Sequence, residues 1–366
     1  GDYGAGKLNY PLIPNLPFAS FDEISLRAGM NEHSNPFLRD EFARALSSDV
    51  GIVASHGTFV HLYLNGVYKG IYNPSERIGP EFLQQWNGGG DRWDLMEGDM
   101  VVWNRLRSLT IVQNPADPVV YQQIEALLDV ENFIDYLLPH IYADTDDWPH
   151  NNWRAARERT SDGKFRFYTW DAEFSFGYNN VPPSHNTIAS QLSSLSPPWG
   201  TTEIQRLFTR IRLSPEFKLH FADRVHKHFF NGGALTDERI RERYERMRAE
   251  LSPSISGFNN TIGASWIPQR RRYVTNHLAS SGFLASSNAP VLSQFGGPVQ
   301  RGYALTMSAG TGDIFYTTNG ADPRVRFTGE VNPQALRYTN PIAIDTPVLI
   351  KARTHWSETN WSAVTE

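Results

Sequence analysis

Residues 144–153 read DTDDWPHNNW, three carboxylates and two side-chain amides around one proline, and residues 166–173 downstream read RFYTWDAE. What surrounds these stretches sets their meaning. Residues 117–144, DPVVYQQIEALLDVENFIDYLLPHIYAD, repeat Val, Ile, Leu and Phe at intervals of three and four, which predicts two helical segments running straight into the polar stretch. After it, residues 152–178 predict two short β arms around Ser161-Asp162-Gly163-Lys164, with Asp171 just past the second arm. A carboxylate at Asp147, an amide oxygen at Asn152 and a second carboxylate at Asp171, beyond a hairpin, can converge on one divalent cation and one reacting oxygen. Taken alone, Asp144, Asp146 and Asp147 read as helix-end caps or Asx turns. The register with Asn152 and Asp171 moves Asp147 out of that class, leaves Asp146 open and keeps Asp144 structural.

The 366-residue chain suits two domains with a sizeable buried interior. Its net charge is −5, and its Lys and Arg are spread along the chain, so no nucleic-acid partner is expected. The absence of cysteine excludes disulfides and any thiolate ligand or nucleophile. No apolar run of about 18 residues occurs, so no membrane insertion is expected. The start, GDYGAGKLNY, is not a signal peptide, and the chain reads as a soluble piece of something longer.

Residues 1–100 read as strands and turns with one helix between them. Residues 22–29 are a strand candidate; residues 36–51 place Phe37, Leu38, Phe42, Ala45 and Leu46 on one helix face that Gly51 closes. Residues 57–78, GTFVHLYLNGVYKGIYNPSERI, hold two β-rich arms joined by Asn65-Gly66, the strongest two-residue hairpin signal because both residues accept positive φ. Helices resume from residue 202 to about residue 284. Residues 286–366 are rich in Thr, Gly and β-branched residues with closely spaced turn signals, which predicts a small β-sandwich. The fold class expected is α+β: a β-rich part over residues 1–100, a mostly helical part over residues 101–285, and a terminal sandwich.

The stretches LRAGMNE (26–32), FLRDEFARAL (37–46), HLYLNGVYKGIYNPSERI (61–78), DDWPHNNW (146–153) and FYTWDAEFSFG (167–177) together resemble the CotH kinase-like family, over roughly residues 5–285. The resemblance implies an atypical protein-kinase-like bilobal fold, β-rich lobe first and helical lobe second, that binds ATP with Mg²⁺ and modifies protein side chains. Asp147 resembles the catalytic-loop Asp, Asn152 the metal-holding Asn and Asp171 the metal Asp. No G-x-G-x-x-G precedes a strand here; GDYGAGK is a loose glycine cluster. The cation over the phosphates is then sought in Lys7 or Arg27, with Glu41 as its ion-pair partner, and Glu76 stands where a kinase hinge would begin and face the adenine edge. Residues 312–324 and 335–366 resemble the sandwich appended to chitobiases and other secreted bacterial enzymes, which implies an extracytoplasmic bacterial location, with possible cell-surface or matrix partners.

Other polar residues take blander readings. His140 and His150 lack a second His at ligand spacing. Trp148, Trp153 and Trp170 read as core anchors, and Glu173 as a structural acid. Arg154 and Arg157 fall on opposite sides of a β arm, and Arg270–Arg272 read as a solvated helix face. The function expected is ATP- and Mg²⁺-dependent modification of a protein substrate, most simply phosphorylation of Ser or Thr, with AMP or amino-acid transfer as alternatives. A degenerate kinase fold acting as a surface scaffold competes with it. A two-carboxylate glycosidase lacks any motif in this sequence.

Overall fold

The computed structural model describes residues 6–29, 31–32, 37–96, 101–193, 200–284, 288–357 and 360–366. The glycine cluster at the start, Gly6 apart, and the expected domain boundary at residues 285–286 lie outside them.

The class is α+β, with several small sheets. Strand β1 (Leu8–Asn9) pairs with β2 (Ser20–Phe21). Strand β3 (Ile24–Arg27) precedes helix α1 (Arg39–Asp49), and the hairpin β4 (Val60–Leu64) and β5 (Val67–Glu76) follows. Asn65 and Gly66 turn it with φ of 51° and 78°, the positive values a two-residue hairpin needs. β3 joins the far edge of β5, Arg27 opposite Asn73, completing the order β3-β5-β4.

Two elements here escape periodicity. Helix α2 (Pro80–Asn87) starts on Pro80 and ends at Gly88, whose φ is 71°. Strand β6 (Trp93–Leu95) pairs with β7 (Trp153–Glu158), which pairs in turn with β8 (Arg166–Thr169). The expected hairpin after the polar stretch is therefore two strands of a three-stranded sheet, with β7 at its centre. Helix α3 (Val101–Arg107) runs on into a π-helical turn.

Helices α4 (Pro118–Glu125) and α5 (Val130–Ala143) start on Asp117 and Asp129, whose carboxylates accept from the amides of Val119 and Asn132. α5 is buried along nearly all its length and ends at Asp144 in the left-handed conformation. Helices α6 (Glu203–Ile211), α7 (Pro215–Phe229), α8 (Asp237–Leu251) and α9 (Ile267–Ser280) complete this part. One continuous core runs from Phe37, Phe42 and Leu46 through Leu137 and Ile141 to Leu278 and Phe283. α1 is thus packed on the helices, and its polar side is buried too, at Arg39, Asp40, Arg44 and Ser47.

Arg270 is a correction to the expectation of a solvated face: it is fully buried. Its guanidinium donates to the carbonyls of Ile141 (2.7 Å) and Tyr142 (2.9 Å) at the end of α5, and to Pro183 and His185. Those carbonyls lack helical partners, and a buried Arg supplies them.

The terminal module holds β9 (Val291–Leu292), β10 (Tyr303–Leu305), β11 (Met307–Ser308), β12 (Asp313–Thr317), β13 (Leu336–Arg337), β14 (Ile342–Ile344), β15 (Lys351–Ser357) and β16 (Asn360–Trp361). They form a four-stranded sheet, β13-β12-β15-β16, and two strand pairs. Buried Arg353 fastens the module to α7, donating to both oxygens of Asp223 and both of Asp322 at 2.7 Å each. Arg324 clasps Glu216 of α7 at 2.5 and 3.0 Å. No helix among the described residues is long and apolar enough to cross a membrane.

Arg353→Met leaves two carboxylates without their shared cation in a largely buried interface. It should lower unfolding free energy by ~3–5 kcal/mol in urea titrations, whereas Arg301→Met, at an exposed pair, should change it by less than about 0.5 kcal/mol.

Candidate active site

The polar stretch is held from below. Asp144 ends α5, and its carboxylate is taken by Thr187 (2.5 Å) and His185 (2.9 Å), which makes it structural. Trp148 is fully buried, donates to the Tyr136 hydroxyl at 2.7 Å and stacks on His140 with ring centroids 4.5 Å apart. Burial pushes the His140 imidazole down to about 3, so it stays neutral and serves as packing. The Asp146 amide donates to the Phe174 carbonyl at 2.7 Å, tying the stretch to the segment after β8.

Between these fixed points Asp147 is half-buried. Its Oδ2 accepts from Asn152 Nδ2 at 2.5 Å, while its Oδ1 is buried and makes no hydrogen bond among the described residues. Burial, then the negative charges of Asp171, Glu173 and Asp146, pushes its carboxyl up to about 7. Asn152 and Asp171 both adopt left-handed backbone, with φ of 55° and 51°, which turns the chain after the loop and after β8 toward the same place.

Asp171 is met by Arg27. From the end of β3 the guanidinium reaches Asp171 through Nη2, Asp40 through Nε at 3.0 Å and Glu173 at 3.8 Å, and it lies over the Trp170 ring at 5.9 Å. Asp40 is the residue sequence reasoning missed. It is 1% exposed in the first turn of α1, accepts from Arg44 Nε at 3.1 Å and takes the backbone amide of Ala172, next to Asp171, at 2.8 Å. Burial opposes its charge, but Arg44 and Arg27 overcome it and hold its carboxyl below the ordinary range.

Glu41, expected as Arg27's partner, points elsewhere. It binds Arg44 Nη2 (2.7 Å), Asn73 Nδ2 (3.0 Å) and the Gly57 amide (3.1 Å), because successive helical residues project about 100° apart. Gly57 must be glycine here: a Cβ would lie 2.3 Å from the Glu41 carboxylate. Lys7 is a second correction. The β1–β2 pairing sets it beside α2, where it pairs with Glu81 at the surface and is not brought to Asp171. A third is Glu76, whose buried carboxylate is consumed by the His56 amide (3.0 Å), His56 Nδ1 (3.1 Å) and Trp86 Nε1 (2.9 Å). Its side chain has no free edge to offer a base. The backbone just beyond it, Arg77 to Pro80, does line the main cleft.

That cleft has a volume of 650 Å³ and is lined by Ser25, Ile78, Met96, Asn152, Trp153 and Trp170, with Arg154 stacked over Trp170 at 5.6 Å. Trp170, expected as a core anchor, packs partly against the cluster of Ile78, Phe82, Trp93 and Tyr168 and also forms a cleft wall. Arg154 and Arg157 diverge as alternation requires, Arg157 being buried on Asp94 at 3.1 Å. A second cavity, of 480 Å³, lies between α7 and the terminal module, remote from these acids and lined by charges already paired across that interface.

The acids around Arg27 favour a cation. Among the described residues no three His, Cys, Asp or Glu side chains are grouped to enclose one. The set instead offers Asp171 and the amide oxygen of Asn152, with Asp147 alongside. Two protein ligands completed by water and phosphate suit Mg²⁺.

Residues 7–107 and 97–260 match the family model described as CotH kinase protein, and residues 304–366 match the model described as Fn3 associated. No curated protein matches the chain.

Between pH 4 and 7 the folded chain keeps a proton on Asp147 that the unfolded chain releases, so stability falls as pH rises through this window. Asp147→Asn should raise Tm at pH 8, have little effect at pH 4 and flatten the profile between, measured by calorimetry. The fall that remains in this variant belongs to Glu32, which caps α1 by accepting from the Arg39 amide (2.7 Å) and which burial pushes up to about 8, so its share spans the range from its ordinary value up to about pH 8.

Proposed function

Starting from the fact that the chain belongs to the CotH kinase family, we propose that it is an ATP- and Mg²⁺-dependent protein-modifying enzyme, most simply a Ser/Thr phosphotransferase. In this reading the β3-β5-β4 sheet with α1 forms one lobe and the helices from α4 onward the other. The segment Arg77 to Pro80 joins them at the rim of the cleft. The observation that carries the proposal is that Asp147 bonds to Asn152 and feels the charge of Asp171, beside the 650 Å³ cleft that Asn152 and Trp170 line. A loop carboxylate and amide five residues apart, with a second carboxylate from beyond a hairpin, suit phosphoryl transfer, which asks for positioning and charge and leaves little covalent chemistry for the protein to do.

Each residue has a task in this scheme. Asn152 and Asp171 hold Mg²⁺ against the phosphates; when bound, the ion offsets phosphate charge during transfer. Asp147 orients the acceptor hydroxyl and takes its proton, a role suited to a carboxyl that titrates near neutral pH. Trp170, Ile78 and Met96 give the base an apolar slot, and Arg27 supplies a cation for the phosphates. The protein acts on an unidentified protein substrate outside the bacterial cytoplasm, where its terminal module belongs with surface or matrix partners.

Mg²⁺–ATP at about 100 times its Kd should stabilise the wild type by ~2.7 kcal/mol in thermal unfolding, and Asp171→Ala should abolish the effect. Asp147→Ala should still bind but lose ~10²-fold or more in transfer. Label carried to protein from the γ-phosphate of ATP identifies phosphorylation; label carried only from the α-phosphate identifies AMP transfer instead. Absence of any Mg²⁺–ATP shift in the wild type contradicts the proposal.

A further inference from the structure

Arg27 stands where two demands meet. Its Nε is committed to Asp40, which is 1% exposed and also held by Arg44 and the Ala172 amide. Its Nη2 serves Asp171 and Glu173, whose side chains are 29% and 12% exposed, so one end of the guanidinium is rooted in the core and the other faces solvent-accessible carboxylates. Arg44 has no such freedom, since its donors go to Asp40, Glu41, Asn73 and Ser55. On β3, Arg27 lies two residues beyond Ser25 and so on the same face, and both Ser25 and Trp170 line the cleft. The Nη2 end of Arg27 is therefore on the side of the cleft that Ser25 and Trp170 line, beside Asp171.

We propose that Arg27 is an exchangeable counter-ion: without nucleotide its guanidinium occupies the carboxylate of Asp171, and when a metal–nucleotide enters it passes to the phosphates while Asp40 keeps its Nε. The inference rests on the nucleotide-binding reading above and adds to it a rule for the order of binding. A divalent cation arriving alone must displace a guanidinium that then has no new partner. A cation arriving with a polyphosphate brings that partner with it. Metal and nucleotide thus favour each other's binding, and by linkage the coupling is reciprocal. Arg27 also offsets part of the negative charge shared by Asp40, Asp171 and Glu173.

The test is binding, measured without turnover. Free Mn²⁺ is counted by electron paramagnetic resonance, and adenylyl imidodiphosphate is titrated calorimetrically in EDTA, for wild type, Arg27→Gln and Arg27→Lys. Arg27→Gln should bind Mn²⁺ alone about tenfold more tightly and the analogue alone about tenfold more weakly, the size expected for one charge-assisted contact. These opposite signs separate the proposal from a folding defect, which weakens both. Arg27→Lys should shift Mn²⁺ binding in the same direction by less, because one ammonium cannot hold Asp40 and Asp171 together; it carries the test if Arg27→Gln does not fold. Mn²⁺ affinity that is unchanged or lower in a folded variant overturns the proposal. If the wild type binds the Mn²⁺–analogue pair but the variants show no opposed shifts, the exchange alone fails; if the wild type binds neither, the nucleotide reading fails with it.

Discussion

A single buried carboxylate organises the site. Asp40 lies in the first turn of α1 with almost no contact with water, and an ionised acid there is tolerable only with full compensation. Arg44 supplies one cation from the same helix, Arg27 a second from β3, and the amide of Ala172 a hydrogen bond from the segment after β8. The contacts of Arg27 and the Ala172 amide join α1 to elements that are otherwise separate in the chain. They set where the β3 edge ends, how α1 meets the helical part, and where the chain turns at Asp171. With Trp148 and Asp144 pinning the other side, Asp147 and Asn152 come to face that turn.

Features governed by local rules were legible in the sequence. Asn65-Gly66 makes a hairpin because positive φ is a property of those two residues, and Asp117 and Asp129 cap helices through contacts within three residues. The convergence of Asp147, Asn152 and Asp171 was legible for a related reason: a helix end, a loop and a hairpin leave few ways for the chain to return. What could not be read depends on which way a side chain faces in the assembled fold. Asp40 and Glu41 are adjacent acids with the same chemistry, and only the packing of α1 decides that the first meets Arg27 and the second Gly57. Within Arg270–Arg272 the first is buried on helix carbonyls, a choice the run of three conceals. Helix α2 and strand β6 are too short for periodicity, although Pro80 after Gly79 and the left-handed Gly88 are start and stop signals that could have marked the helix.

The terminal module repeats the same principle on a different surface. Arg353 does for Asp223 and Asp322 what Arg27 and Arg44 do for Asp40, with carboxylates from two parts of the chain sharing one buried guanidinium. The module is therefore seated against α7 rather than trailing from the helical part. Its strands match the Fn3-associated family model, and that is the level at which its kind is known.

The most direct test of the central claim is where a metal and a nucleotide sit. In crystals grown with Mn²⁺ and a non-hydrolysable ATP analogue, the manganese anomalous signal is expected between Asn152 and Asp171, with the base against Trp170 and Ile78. A nucleotide bound away from this cleft, or a metal signal that does not involve Asp171, would contradict it.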